Sequence, residues 1–439
     1  MEPAPIHIDT NMIVAMSVLV IAYALIFSDI IHRTNAAIIG SVVMVSVGMW
    51  MGFYSQEEAL TAIDGNTILL LMAMMIVVAL LRPTGVFEYA AIRITKLTGG
   101  NSKLLLIYLS FAVSVISTIL DNVTTVIIFA PLTILITRIL HLNPMPYLIA
   151  EAMLSNVGGV ATLVGDPPNI MIGSAANIDF TQFLVHMGPP VALVWIVTSA
   201  LLLFLFRKEL PRGDGTKLID LDESRAITDA AGLKRMLVVI GVIILLFFVH
   251  HRLHVFPAFV ALIGLALGVA LLRPKPELFL SEVNWSVLVF FAGLFVIVGG
   301  VESSGLFDLI GNSIASMAQD PAALLITALM LMWVAAILSA IVDNIPFTVA
   351  MIPVILGLEA QNVNVMPLWW ALAIGVGLGG NGTHVGATAN IIVVAISEDC
   401  GVPEARISPR KWLRTGVPTM FGSLIAASIA YAVFFDFFL

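Results

Sequence analysis

Apolar runs close to the length of a membrane-crossing helix alternate with short polar stretches along the whole chain. Met12 to Phe27, Ala36 to Phe53, Thr67 to Leu81, Val238 to Val249 and Trp285 to Val298 are helical in length, not the short alternating segments of a membrane barrel. The pattern predicts an all-α polytopic bundle. Two apolar stretches carry an interruption. Asp121-Asn122-Val123-Thr124 lies within about 104–140, and Asp343-Asn344-Ile345-Pro346-Phe347-Thr348 lies within about 322–358. A carboxylate beside a carboxamide at membrane depth is costly, and such groups mark functional sites by default.

Other landmarks recur with these pairs. Thr84-Gly85-Val86-Phe87-Glu88 answers Ser304-Gly305-Leu306-Phe307-Asp308 at an offset of 220 (304 − 84). The Asp-Asn pairs, and Pro131 with Pro353, are offset by 222 (343 − 121). Gly158-Gly159, Thr162, Gly165 and Asn169 answer Gly379-Gly380, Thr383, Gly386 and Asn390 at 221 (390 − 169). So small a drift over this much chain indicates an internal repeat. The long polar stretch 207–235 separates a first half, 1–206, from a second, 236–439.

The basic residues set the expected topology. With the N-terminus outside, Arg33, Arg82, Arg93, Lys96, Lys103 and Arg138 fall in cytoplasmic loops, as do the linker and the Arg406 to Arg414 cluster; Arg252 is the exception. This holds only if the two Asp-Asn stretches do not cross. Both are therefore read as re-entrant hairpins, which are tolerated where the tip is buried in protein or lines a cavity. Each half then has five crossings plus a hairpin, and an odd number of crossings inverts one half relative to the other. Both termini are expected outside and the 207–235 linker in the cytoplasm of a cell (inner or plasma) membrane. Met1 to Thr10 has no Lys or Arg, so it lacks the basic flank of a cleavable signal, and the first apolar helix is expected to remain.

A second constellation follows each hairpin. Gly165-Asp166-Pro167-Pro168-Asn169 cannot continue a helix through its two prolines, so a broken helix is expected over about 147–176. Its counterpart over about 367–397 rests on glycines alone. Broken helices free carbonyls and present a half-helix N-terminus to a small polar or anionic ligand. The candidate solute contacts are Asn122, Thr124, Gly165, Asp166, Asn169, Asn344, Thr348, Thr383, His384 and Asn390. Asp121 and Asp343 are the candidate groups for proton or ion coupling. Single residues such as Asn156 and Thr125 serve equally well as interhelical hydrogen bonds. His384 faces Leu163 in the repeat and is weaker evidence, and Glu151 reads as a helix start at the cytoplasmic boundary.

Composition fixes the solvent. The chain has 60% hydrophobic and 11% charged residues and a mean hydropathy of +1.05, against roughly 25% charged in soluble domains. The lone Cys400 leaves no internal disulfide and no thiol cluster for a soft metal. No Gly-x-x-x-x-Gly-Lys-Ser/Thr loop is present. An enzyme, an intrinsic ATPase, a cofactor and a nucleic-acid partner are not expected; a soluble ATPase docking on the linker stays among the alternatives.

The motifs DNVTTVIIFAP (121–131) and AEAMLSNVGGVATLVGDPPNIMI (150–172) resemble the ion transporter superfamily, specifically its ArsB/NhaD and P-protein group of permeases, over nearly the whole chain. The resemblance implies a scaffold helix set and a transport set of two hairpins and two broken helices, often moving as an elevator in homodimers. It implies that the hairpin tips and helix breaks surround the solute. Dicarboxylate-carrying relatives have Ser-Asn-Thr at the tips, whereas this chain places Asp there, which argues against a citrate or succinate carrier. The leading expectation is efflux of arsenite or antimonite driven by protons; sodium/proton exchange and transport of an inorganic anion such as chloride are the alternatives.

Overall fold

The computed structural model describes residues 9–27, 30–211, 223–307, 309, 321–361 and 363–439. Positions 1–8, linker positions 212–222 and Asp308 lie outside the described residues. Those residues form helices joined by short turns, with no strand among them. Eight of the described helices are long and apolar enough to cross a membrane. Their outward faces are apolar too: Trp50 is 87%, Leu245 64% and Ile429 59% exposed. Apolar exposure on this scale requires a lipid solvent, and the molecule is a multi-pass membrane protein.

Helices Thr10–Phe27, Arg33–Met51 and Gly65–Leu81 lead into a first helical hairpin, Ser102–Ser117 and Asn122–Ile139. A broken pair, Met145–Gly159 and Pro167–Ala175, and the long helix Phe180–Leu205 complete the first half. The second half runs Ala230–Val249, Pro257–Leu272 and Trp285–Ser303. It continues with a hairpin, Pro321–Val342 and Asn344–Glu359, a broken pair, Met366–Gly379 and Thr388–Asp399, and helix Pro409–Val433. Pro131 and Pro353 each lie inside the second arm of their hairpin.

Packing between the halves comes in matched pairs. Arg33–Met51 packs on Trp285–Ser303, and Pro257–Leu272 packs on Gly65–Leu81. In each half the first hairpin arm lies along the helix before the break. The second arm lies against the other half's helix after the break: Asn122–Ile139 on Thr388–Asp399, and Asn344–Glu359 on Pro167–Ala175. The halves therefore interlock at their breaks. Every residue of Met145–Gly159 is buried, as is every residue from Pro367 to Gly379. These two helices form the centre of the molecule, and backbone can unwind beside them without meeting lipid.

The 207–235 stretch is engaged at its C-terminal end. Thr228 N–H donates to Thr84 O at 3.1 Å, Thr228 Oγ1 to Pro83 O at 2.5 Å, and Arg93 Nη1 to Glu223 Oε1 at 3.0 Å. Lys96 also pairs with Glu223. Gly85, at φ 81°, allows this docking: a Cβ there would collide with Ala226 O.

Candidate functional site

The two hairpins turn at their Asp-Asn pairs, and the turns are built differently. Asp121 caps the arm Asn122–Ile139: Oδ1 accepts from Thr124 N–H at 2.8 Å and Oδ2 from Thr124 Oγ1 at 2.6 Å, satisfying a free helix-start amide. Asp343 makes no cap bond and is held at φ 75°, a strained conformation that survives only under tertiary constraint. The constraint is visible. Arg33 Nη1 donates to Asp343 Oδ2 at 3.3 Å and to Thr388 Oγ1 at 3.1 Å, and Thr388 Oγ1 donates to Asp343 Oδ2 at 3.2 Å. Tyr23 Oη reaches the same tip, donating to Pro346 O at 2.8 Å. Asp343 Oδ1 is buried without a partner.

The two breaks copy each other contact for contact. Asn169 Nδ2 donates to the carbonyls of Gly159 (2.9 Å) and Thr162 (2.8 Å), and Asn390 Nδ2 to those of Gly380 (2.7 Å) and Thr383 (3.0 Å). Thr162 and Thr383 fasten each break to its hairpin through Thr118 O and Ala340 O, both at 2.5 Å. Asp166 (φ −147°) and Ala387 (φ −148°) share the extended step into the next helix. Pro167 and Pro168 occupy the first turn of that helix, where an absent amide costs little; the unwound residues precede them. Gly165 is required by proximity, since a Cβ there would lie 2.5 Å from Gly159 O and 2.7 Å from Ser117 O.

Asparagines join the halves at the centre. Asn156 Oδ1 accepts from Asn122 Nδ2 at 3.1 Å, and its own Nδ2 donates to Asn381 Oδ1 at 2.9 Å and Asn390 Oδ1 at 3.0 Å. Asn344 Nδ2 donates to both oxygens of Asp166, at 3.3 and 3.1 Å. Asp121 and Asp343 both act electrostatically on Asp166. Among the described residues, the centre thus gathers three buried carboxylates and one guanidinium, that of Arg33. Among the described residues no group of three His, Cys, Asp or Glu side chains is arranged to hold a metal ion.

A cavity adjoins the second arm of each hairpin. One of about 70 Å³ is lined by Val123, Thr124 and Ile127 of the first hairpin with Arg82, Glu282 and Asn284. Another of about 210 Å³ lies between Met171 and Ser174, Val349 and Pro353, and Val298 and Glu302. Of the remaining candidates, Thr348 spends its hydroxyl on Asn344 O at 2.8 Å within its own helix. His384 is half-buried in the second break, with Nδ1 buried and unpartnered.

A family model described as citrate transporter (CitMHS) matches residues 23–375. The chain belongs to this family. Among its relatives, a "46 kDa membrane protein" of Mycobacterium leprae is 38% identical over 95% of this chain and 97% of its own. "Uncharacterized transporter Rv2685" of Mycobacterium tuberculosis is 38% identical over the same shares. The human "P protein" is 31% identical over 94% of this chain, which spans 59% of that longer protein. The solved YdaH transporter of Alcanivorax borkumensis shares the fold at a TM-score of 0.57 and 13% identity, covering 98% of this chain and 99% of its own. Family membership supports a secondary transporter and upholds the superfamily resemblance; it does not single out the arsenite permeases.

Within this citrate transporter family member, sequence reasoning overlooked several central residues. Arg33, assigned to a cytoplasmic loop, reaches the second hairpin tip. Asn156 and Asn381 bridge the halves, yet by the repeat offset their counterparts are Gly377 and Val160, so repeat matching passes over them. Glu151 does not mark a helix start: it is 1% exposed, in the middle of Met145–Gly159, and accepts from Thr133 Oγ1 at 2.5 Å. The helix begins six residues earlier because Pro144 and Pro146 set its first turn.

Proposed function

We propose that this protein carries a small inorganic solute by alternating access, with arsenite or antimonite efflux coupled to protons as the leading case. The observation that carries the reading is the meeting of Asp121, Asp166 and Asp343 with a single counter-charge, Arg33, on two hairpin turns and two helix breaks. Citrate, named by the family, would bring further negative charge to a centre already holding three carboxylates. Like-charge repulsion at low local dielectric opposes that. Arsenite is largely a neutral hydroxide near neutral pH, and Asn122, Asn344, Thr124, Asn169 and Asn390 with the carbonyls of the breaks can hydrogen-bond it. Asp121 and Asp343 serve as the proton-carrying groups.

The proposed architecture is two inverted repeats, 1–206 and 236–439, joined by a cytoplasmic linker, with both termini outside. Matched pairing of the halves and the twin breaks support it. The hairpins and broken pairs form a transport unit, and Arg33–Met51, Gly65–Leu81, Pro257–Leu272 and Trp285–Ser303 form the frame past which it moves, in a homodimer.

Sodium/proton exchange is the second reading, favoured by the same excess of carboxylates, which suits a hard cation. Chloride is disfavoured on the argument applied to citrate. Proteoliposomes with an imposed pH gradient separate the cases. Gradient-driven arsenite accumulation, lost in Asp121→Asn and Asp343→Asn, is expected. A sodium-dependent, arsenite-independent proton flux would transfer the assignment to the exchanger.

A further inference from the structure

The first half holds a buried carboxyl that the central cluster does not use. Glu151 lies midway along Met145–Gly159, all of whose residues are buried. Its Oε1 accepts from Thr133 Oγ1 on the second arm of the first hairpin, and its Oε2 is buried with no partner. The central acids are all engaged: Asp121 by Thr124, Asp166 by Asn344, Asp343 by Arg33 and Thr388. Glu151 has neither a helix cap nor a cation. The titratable groups on elements packed against its helix are Lys103, Tyr108, Arg138, His186, Glu398, Asp399 and Glu404. All but the half-buried His186 are exposed, and among the described residues no hydrogen bond or ion pair joins any of them to the Glu151 carboxyl, whose one partner is the Thr133 hydroxyl.

Comparison of the halves shows that this polar pair is not a demand of the fold. At the repeat offset, Leu372 stands where Glu151 stands (372 − 151 = 221) and Ile355 where Thr133 stands (355 − 133 = 222). Both are fully buried. The fold packs this place with two aliphatic side chains in one half and keeps a carboxyl and a hydroxyl there in the other. An ionised carboxylate so enclosed, with no counter-charge, is far costlier than a neutral one.

Its position connects it to the centre. Ser155, one turn on along the same helix face, donates to Asn122 O at 3.3 Å and to Ser117 Oγ at 3.2 Å, and Asn122 adjoins Asp121. In the other direction Thr133 is followed one turn on by Thr137, whose hydroxyl donates to Thr133 O at 2.6 Å. We infer that Glu151 is a proton-binding station, distinct from the three-aspartate centre, that passes protons between that centre and the Arg138 end of the first hairpin. The inference rests on the transporter reading above and adds to it a one-sided proton route.

Two measurements test it on the full-length protein in lipid. Infrared spectroscopy reads the proton directly: the carbonyl band of a protonated carboxylic acid is expected in the wild type and should lose one component in Glu151→Gln. The second compares arsenite uptake from about pH 5.5 to about pH 8.5 in wild type, Glu151→Gln, Glu151→Asp and the double variant Glu151→Leu/Thr133→Ile, which copies the packing of the other half. A bell-shaped or sloping profile is expected for wild type and Glu151→Asp. The other two should vary less than about twofold across the range. Unchanged infrared bands, or a wild-type pH profile in the folded double variant, would overturn the proton station. Absence of arsenite uptake by the wild type would instead count against the solute reading, and the infrared result would still decide the protonation of Glu151.

Discussion

Arg33 supplies the sharpest quantitative test of the central geometry. Its guanidinium lies 3.3 Å from Asp343, with side-chain exposures of 25% and 11%. At that distance the gross attraction at an effective dielectric near 20 is roughly 5 kcal/mol, and most of it is offset by the desolvation of both groups. The net cost of removing one partner lies between the ~0–1 kcal/mol of exposed pairs and the ~3–5 kcal/mol of fully buried ones. The partial burial places Arg33→Gln at about 2 kcal/mol of destabilisation. The loss arises chiefly because Asp343 is left charged, strained and without a cation. Asp343→Asn should therefore change sign with background: destabilising in the wild type, where it strands Arg33, and stabilising in Arg33→Gln, where it removes an uncompensated charge. A double-mutant cycle of unfolding in detergent is the assay, with an expected coupling of about 1–2 kcal/mol. Additivity within about 0.3 kcal/mol would refute the pairing and, with it, the account of how the second hairpin tip is held.

Three further outcomes are expected. Gly165→Ala should destabilise by about 1–3 kcal/mol or prevent folding, since its Cβ would collide with two backbone carbonyls; Gly241→Ala, where a Cβ meets nothing within 4 Å, is the control in thermal unfolding. Asn156→Leu should cost about 2–3 kcal/mol and reduce transport, because Asn122 loses an acceptor while Asn381 and Asn390 each lose a donor; wild-type stability and uptake would show the asparagine bridge to be dispensable. Glu223 has its carboxyl held below the usual range of 4.5, first by the hydrogen bond from Lys96. A depressed folded value means that its contribution is present above pH 4.5 and disappears as pH falls through the lowered value. Protection of the Thr228 amide, its exchange rate relative to the unprotected rate at the same pH, should accordingly fall only in acid, and Glu223→Gln should show the reduced protection already at neutral pH.

What the sequence makes legible follows from which interactions are local. Apolar run length locates the helices, because a spanning helix must satisfy its own backbone in lipid. The cap role of Asp121 is local as well, reaching three residues ahead to Thr124. Non-local partners leave no such signature. Arg33 opens a helix just after a short polar connection, where a charge-counting rule assigns it to water; its engagement depends on a hairpin tip more than 300 residues away. Pro167 and Pro168 announce a break, but only the structure shows that they open the following helix and that the unwound residues come before them. Glu151 misleads because a lone carboxylate in an apolar run looks like a boundary residue, whereas the helix begins six residues earlier, at Met145.

The repeat explains the framework, and the departures from the repeat explain the chemistry. Both breaks use the same asparagine-to-carbonyl ties, so their shape is a property of the shared design. Their charges are not shared. Asp166 answers Ala387, Glu151 answers Leu372, and the capped Asp121 answers an Asp343 bound to Arg33 instead of to its own helix. A symmetric frame gives two equivalent ways to pack, which alternating access needs; symmetric charges would let a proton bind equally from either side. With Glu151 and Asp166 in the first half, and the arginine-bound Asp343 in the second, the two sides of the centre differ electrostatically. Under the proposed mechanism, a proton arriving at Asp343 would weaken the ion pair that ties the second hairpin tip to Arg33–Met51, and proton binding and release of that tip would be coupled through the same carboxylate.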